Sequence, residues 1–304
     1  LTPQVTEALA AKHPKSEPLA PPAVSPPEAL TLTKEQVLKS LTEFRTGTAP
    51  GASRFRVSHF RDALEIPTGD SDGRLSRPLT LLCNILVKGE APGTLAPWIA
   101  GAPLFPLKKK DGGVRPIAVG EVLRRLVSRT CCAALRAKAD AHFLPLGQVG
   151  VGVRGGAEAA VQAVRLALSQ TDEPGNFVVL KVDFENAFNS GSREAILETL
   201  ESHFPGLVPW FRFCYGQGAI LTCQGQVLEF KSTTGVQQGD PLGPFLFSLS
   251  LTRCCARLRS ELTARTMSVW YLDDGTIAGP RADVEAAWGI IREEAAKVGL
   301  KVNL

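Results

Sequence analysis

Ser268-Val-Trp-Tyr-Leu-Asp-Asp-Gly275 drives a strand-forming run straight into two adjacent carboxylates. Upstream, Phe177-Val-Val-Leu-Lys-Val-Asp-Phe-Glu-Asn-Ala-Phe188 does the same with one acid, Asp183. Both runs are rich in β-branched and aromatic residues and read as strands, Phe177 to Val182 and Ser268 to Leu272, with Gly275 allowing a tight turn between antiparallel partners. Three carboxylates, Asp183, Asp273 and Asp274, would then meet at adjacent strand ends. Such a cluster repels itself unless hard divalent cations neutralise it, and two ions about 4 Å apart can activate an attacking oxygen and stabilise a leaving one. Phosphoryl transfer is the natural chemistry of that donor set.

Working outward, further motifs come in a fixed order. They are Leu107-Lys-Lys-Lys-Asp-Gly-Gly-Val-Arg-Pro-Ile117, Gln148-Val-Gly-Val-Gly-Val-Arg-Gly-Gly156, the Asp183 segment, Gln237-Gln-Gly-Asp-Pro-Leu-Gly-Pro244 and Tyr271-Leu-Asp-Asp-Gly275. An adjacent acid pair alone carries no weight, because such pairs usually sit in solvated turns. In this order and approximate spacing the motifs resemble the polymerase domain of reverse transcriptases, most closely the non-LTR retroelement type, over residues 31–304. The resemblance implies an α+β right-hand polymerase fold, fingers plus palm, with an antiparallel palm sheet packed on helices and the thumb missing.

Composition agrees with this without deciding it. A chain of 304 residues with 44% hydrophobic content can bury a sizeable core, in one lobe or two. The formal net charge of +4 is modest, but Lys108, Lys109, Lys110, Arg115, Arg124, Arg125 and Arg129 fall in one stretch. Either a phosphate-binding face or a solvated surface accounts for that cluster. Seven cysteines without a Cys-x-x-Cys pair read as buried thiols in a reducing compartment, and four scattered histidines lack zinc-ligand spacing. No run is long enough to span a membrane and no secretory signal is visible, which predicts an intracellular protein, cytoplasmic or nuclear.

Residues 1–30 are rich in Pro and Ala and read as a disordered linker. The remaining boundaries are expected at 31–160 for fingers, 161–192 for the first part of the palm, 193–238 for an insertion between fingers and palm, and 239–304 for the rest of the palm. Thr33 and Gln36 form a capping box ahead of an apolar stripe, Val37, Leu38, Leu41 and Phe44. Leu104 to Leu107 and Val114 to Val119 alternate about the Asp111-Gly112-Gly113 turn and predict a hairpin. Residues Glu121 to Ala139 predict one helix, with Arg125 and Arg129 on a face that meets either template phosphate or water. Phe245 to Leu262 predicts another. The glycine-dense run Gly147 to Gly156 fits close backbone approach to nucleic acid or a plain structural turn.

The resemblance also implies roles. Asp183, the Phe184 carbonyl, Asp273 and Asp274 would hold two magnesium ions, with manganese as a substitute. Lys109 at the hairpin tip and Arg115 on its return strand would bind the triphosphate. Phe188 would exclude a 2′-hydroxyl, and Gln238 with Gly239 would meet the nucleotide and template base. The expected partners are an RNA template, a DNA primer and deoxynucleoside triphosphates. Asn189 departs from the second acid that many relatives carry there.

With Leu at position 1 and Met267 as the sole methionine, the sequence is expected to be a segment of a longer product. Gly299 to Leu304 opens a stretch that in relatives runs on to a lysine assisting pyrophosphate departure, so weak activity is expected from these residues alone. No RNase H or endonuclease signature is present. Two other readings differ in class. A viral-type RNA-dependent RNA polymerase would favour a Gly-Asp-Asp box and a smaller residue near 188, and a domesticated nucleic-acid-binding scaffold would have no need of all three acids.

Overall fold

The computed structural model describes residues 2–22, 28–65, 73–110, 112–171 and 175–303. They form two compact units, Leu1–Ala134 with Leu200–Gly243, and Leu135–Thr199 with Pro244–Leu304. The first begins with helices α1 (Pro3–Ala11), α2 (Lys34–Thr42), α3 (Val57–Glu65), α4 (Ser76–Val87) and α5 (Ala96–Ile99), then strands β1 (Ala102–Lys108) and β2 (Val114–Ala118) and helix α6 (Val122–Ala134). Next come α7 (Arg136–Phe143), α8 (Gly156–Ser169), β3 (Phe177–Val182), α9 (Ala187–Ser190) and α10 (Arg193–His203). The segment expected as an insertion supplies α11 (Val208–Tyr215), β4 (Ala219–Cys223) and β5 (Gln226–Ser232) to the first unit. The last elements are α12 (Gly243–Ser250), α13 (Thr252–Glu261), β6 (Met267–Tyr271), β7 (Asp274–Pro280) and α14 (Arg281–Lys297).

The first unit holds a four-stranded sheet, β2-β1-β4-β5, in which β1 and β2 form the expected hairpin and β1 runs parallel to β4. Asp111, expected in the hairpin turn, lies outside the described residues. The sheet packs on α1, and this corrects the linker reading of residues 1–30 where they are described; residues 1 and 23–27 lie outside the described residues. Thr2 caps the helix, Pro3 occupies its first turn where the missing N–H costs nothing, and Val5 and Leu9 share one face. Leu9 is fully buried with Ala102, Leu104, Ala118, Leu221, Cys223 and Leu228. The later prolines lie beyond the helix rather than within it. There the chain is strapped down, with the Pro14 carbonyl accepting from the hydroxyls of Thr233 and Thr234 and the Leu19 N–H donating to the Gly216 carbonyl at 3.0 Å.

The capping box forms as expected, with Gln36 N–H on Thr33 Oγ1 at 3.2 Å and Thr33 N–H on Gln36 Oε1 at 2.9 Å. The two long helices do not. Leu135, at φ −93° and ψ 0°, separates α6 from α7, and Leu251, at φ −90° and ψ −3°, separates α12 from α13. At the second break Ser250 Oγ bonds back to the Phe247 carbonyl, a competition with helical bonding that bends helices.

The second unit is built on an antiparallel sheet, β3-β7-β6, so the strands predicted around the acids form within a residue of their expected ends. Helix α14 packs on β3 and β7, and α8 packs on β6 and β7. Arg257 on α13 reaches Glu293 and Glu294 on α14, and Glu294, almost wholly buried, also takes Lys297 and Arg253. The cysteines are unpaired thiols, and burial pushes Cys83, Cys214 and Cys254 up to about 12, well away from thiolate chemistry. Among the described residues no helix is long and apolar enough to cross a membrane.

Candidate active site

Strand β3 ends at buried Val182 and releases Asp183 to the surface. Its ladder with β7 pairs Val182 with Gly275, and the β6–β7 ladder pairs Tyr271 with Asp274. Continuing the first register by one residue sets position 183 beside 274. Asp273 belongs to the two-residue turn Leu272–Asp273, whose first residue has φ +59°, the sense that tight hairpin turns use. The three acids thus share one edge of the sheet. Gly275 is not in the turn, contrary to the sequence reading. It lies on β7, where a Cβ would come within 2.6 Å of the Trp270 ring, and Trp270 in turn stacks on Phe184.

Two contacts that the sequence did not signal hold this edge. Asn303 donates from Nδ2 to Asp183 Oδ2 at 3.0 Å and from its N–H to the Asp183 carbonyl at 2.8 Å. The matching bond from Glu185 N–H to the Lys301 carbonyl completes a bridge between Phe184 and Val302, a pairing that leaves the Phe184 carbonyl outside its own two bonds. Buried Gln148 grips the turn: Oε1 accepts from Leu272 N–H at 2.8 Å and Gly150 N–H at 3.0 Å, while Nε2 donates to the Leu272 carbonyl at 3.1 Å.

The glycine-dense motif owes most of its glycines to this packing. A Cβ on Gly147 would collide with the Ser268 carbonyl, one on Gly150 would meet the Leu272 nitrogen at 2.6 Å, and one on Gly156 would collide with the Val149 carbonyl. Phe188, half-buried, stacks on Phe247 at 5.0 Å between ring centroids, and Asn189 is buried and donates to Asn186 Oδ1.

As donors, the three carboxylates and a carbonyl are hard oxygens that suit magnesium or manganese. The side chains are not gathered about a point: among the described residues, no three His, Cys, Asp or Glu side chains converge closely enough to hold a metal ion. The backbone register brings the acids to one edge of the sheet.

In the first unit, Lys109 closes the β1–β2 turn through its N–H to the Gly113 carbonyl, and Arg115 stands exposed on β2 opposite Leu107. The basic stretch does not form one face. Arg124 is 1% exposed, pairs with Asp240 at 2.8 Å and also donates to Gln237 and the Ala100 carbonyl. Tyr215 donates its hydroxyl to the same Asp240 oxygen at 2.7 Å. Burial disfavours the guanidinium charge, but Asp240 more than offsets this and Arg124 stays firmly cationic. Arg125 bonds the Ala49 carbonyl, and Arg129 lies over the Phe44 ring and reaches Glu43.

That buried network carries the loop of Gln238 and Gly239. The Gln238 carbonyl accepts from Ala118 N–H at 2.7 Å, and Gly239 has φ +124° with its Cβ position driven into the Ala118 carbonyl, so only glycine fits. Gln238 Oε1 is enclosed and has no hydrogen-bond partner among the described residues.

Residues 107–304 match the family described as Reverse transcriptase (RNA-dependent DNA polymerase), and the chain belongs to that family. It is similar to the Retrotransposable element SLACS 132 kDa protein of Trypanosoma brucei gambiense, 26% identical over 292 residues, 93% of this chain and 23% of that protein. A second relative is the Retrovirus-related Pol polyprotein from type-2 retrotransposable element R2DM of Drosophila melanogaster, 29% identical over 206 residues, 64% of this chain and 19% of that one. The chain thus spans less than a quarter of either relative. Among solved structures, a Candida albicans telomerase in complex with a TWJ fragment of telomeric RNA aligns at TM-score 0.51 and 13% identity, over 67% of this chain and 40% of that one. An apo telomerase from Candida tropicalis aligns at 0.51 and 14%, over 67% and 43%. These likenesses show a shared polymerase fold.

Proposed function

We propose that this chain is the polymerase part of a retrotransposon protein and extends a DNA primer along an RNA template. The observation that carries the reading is the register setting Asp183 beside Asp274 at the head of the β6–β7 hairpin, in a member of the reverse transcriptase family. In this reading the β3-β7-β6 sheet and its helices are the palm, and the first unit is the fingers. The primer O3′ attacks the α-phosphorus of a deoxynucleoside triphosphate, a new P–O bond forms, the bond to the bridging oxygen breaks, and pyrophosphate leaves.

Asp183, Asp273, Asp274 and the Phe184 carbonyl would hold two divalent ions, magnesium or manganese. Bound there, the ions would activate the 3′-hydroxyl and stabilise the leaving oxygen. Lys109 and Arg115 would take triphosphate oxygens, Arg115 through its forked guanidinium. Phe188, backed by Phe247, would exclude a 2′-hydroxyl, and Gln238 with Gly239 would meet the incoming base pair. Template sequence would be read by base pairing rather than by side chains.

Primer extension tests this directly. The intact polypeptide should add dTTP to oligo(dT) on poly(rA) with magnesium, and a variant carrying Asp273→Asn and Asp274→Asn should not. Retained duplex binding without extension would assign the chain to a non-catalytic nucleic-acid-binding relative instead.

A further inference from the structure

We infer that Gln148 is a positioning residue for the Asp273–Asp274 turn, acting through Leu272 rather than on the template; this rests on the function proposed above. Leu272 has φ +59°, a left-handed conformation that costs a branched residue free energy, and it immediately precedes the acid pair. Three polar contacts meet the Gln148 amide there. Its oxygen accepts from the N–H groups of Leu272 and Gly150, and its nitrogen donates to the Leu272 carbonyl. The donor and the acceptor of one residue are thus both held by one planar amide. That fixes the orientation of the peptide unit leading into Asp273.

The clamp is itself anchored. Gln148 is 1% exposed. On either side of it, the Gly147 carbonyl accepts from Trp270 N–H at 2.8 Å, and Val149 N–H donates to the Trp270 carbonyl at 2.8 Å, so the segment runs as a short parallel bridge beside β6. Gly147 and Gly150 permit that approach, as their Cβ positions would strike Ser268 and Leu272. Gly147, Gly150 and Gln148 therefore serve one end: they set a rigid support behind the turn. A glutamine with both amide ends engaged and its side chain enclosed has no free face for a base or phosphate.

The test is a double-mutant cycle on the intact polypeptide with three readouts: Mn2+ binding followed by loss of the free-ion EPR signal, steady-state primer extension, and affinity for template–primer duplex. Gln148→Ala should weaken Mn2+ binding and lower kcat by about 10- to 100-fold, as loss of outer-shell support commonly does. KM for dTTP and duplex affinity should stay within about twofold, because neither ligand touches the amide. Glycine adopts positive φ without strain, so in a Leu272→Gly background the same substitution should cost clearly less.

Equal losses in both backgrounds, unchanged Mn2+ binding, or a loss confined to duplex affinity would each overturn the inference, the last by assigning Gln148 to the template. If Gln148→Ala does not fold, Gln148→Glu decides. It keeps an oxygen for both N–H groups but loses the donor to the Leu272 carbonyl, and should lower the same two quantities relative to wild type; no loss would overturn the inference. Gln148-dependent Mn2+ binding in a wild-type protein that extends no primer would uphold the clamp and defeat the proposed function. Absence of both in the wild type would defeat both.

Discussion

Asn303 places its side-chain amide 3.0 Å from Asp183 Oδ2 and its own N–H on the Asp183 carbonyl, so one residue fixes both the backbone and the carboxylate of the acid at the end of β3. That contact engages one of the two carboxylate oxygens. Asn303→Ala should release that rotamer and weaken Mn2+ binding by about tenfold or more, with little change in melting temperature because residue 303 is exposed. Asn303→Asp also loses the amide donor but adds a fourth carboxylate to the edge, which favours a cation, so its Mn2+ affinity should fall less than that of Asn303→Ala. Titration of Mn2+ against the variants distinguishes the two effects, and equal affinity in all three proteins would refute the role.

The Arg124–Asp240 pair should dominate the stability of the first unit. Both side chains are within 2% of full burial, and breaking such a pair from one side costs about 3–5 kcal/mol because it strands a charge. Arg124→Met should therefore be severe, and adding Asp240→Leu should recover part of the loss. Denaturant unfolding of the two singles and the double measures the coupling. A double variant as unstable as the sum of the singles would refute it.

Acid should loosen the α13–α14 pair. Hydrogen bonds from Lys297 and Arg257 hold Glu293 down to about 2 from an ordinary value of 4.5. For Glu294 burial pulls upward, yet the bonds from Lys297 and Arg257 leave it lowered too. Folded values below unfolded ones mean stability that is complete above pH 4.5 and is lost as pH falls towards 2. Melting curves across that window should converge for wild type and Glu293→Gln/Glu294→Gln, having differed at neutral pH.

Removing the Leu9 side chain should destabilise the first unit by about 2–5 kcal/mol, the usual cost of a fully buried Leu→Ala. Glu7→Ala, at an exposed position on the same helix, should be neutral within about 0.5 kcal/mol. Equal melting temperatures for Leu9→Ala and wild type would mean that α1 is dispensable to the fold.

What the sequence disclosed was local. β-Branched runs ending in an acid gave β3 and β6 almost to the residue, and a four-residue polar signature gave the start of α2, because those patterns are decided by neighbours along the chain. The supports of the site were not legible for the opposite reason: Arg124 meets Asp240 across 116 positions, Asn303 meets Asp183 across 120, and Gln148 meets Leu272 across 124. A lone arginine in a basic stretch reads as surface until its counter-charge is found. Residues 1–30 misled in a related way, since most of their prolines belong to the strap beyond α1 and hid the Val5–Leu9 stripe within the helix.

The strands that bury Leu9 include β4 and β5, made more than two hundred residues later. On the ribosome, then, β1 and β2 can cover only part of this helix's apolar face, and the rest must wait until β4 and β5 are synthesised. The packing around Leu9 is completed only on the arrival of Leu221 to Leu228. A translational pause or early stop before that point leaves a nascent chain with the β1 edge open and the helix only partly shielded, a form that chaperones should bind in preference to the finished protein.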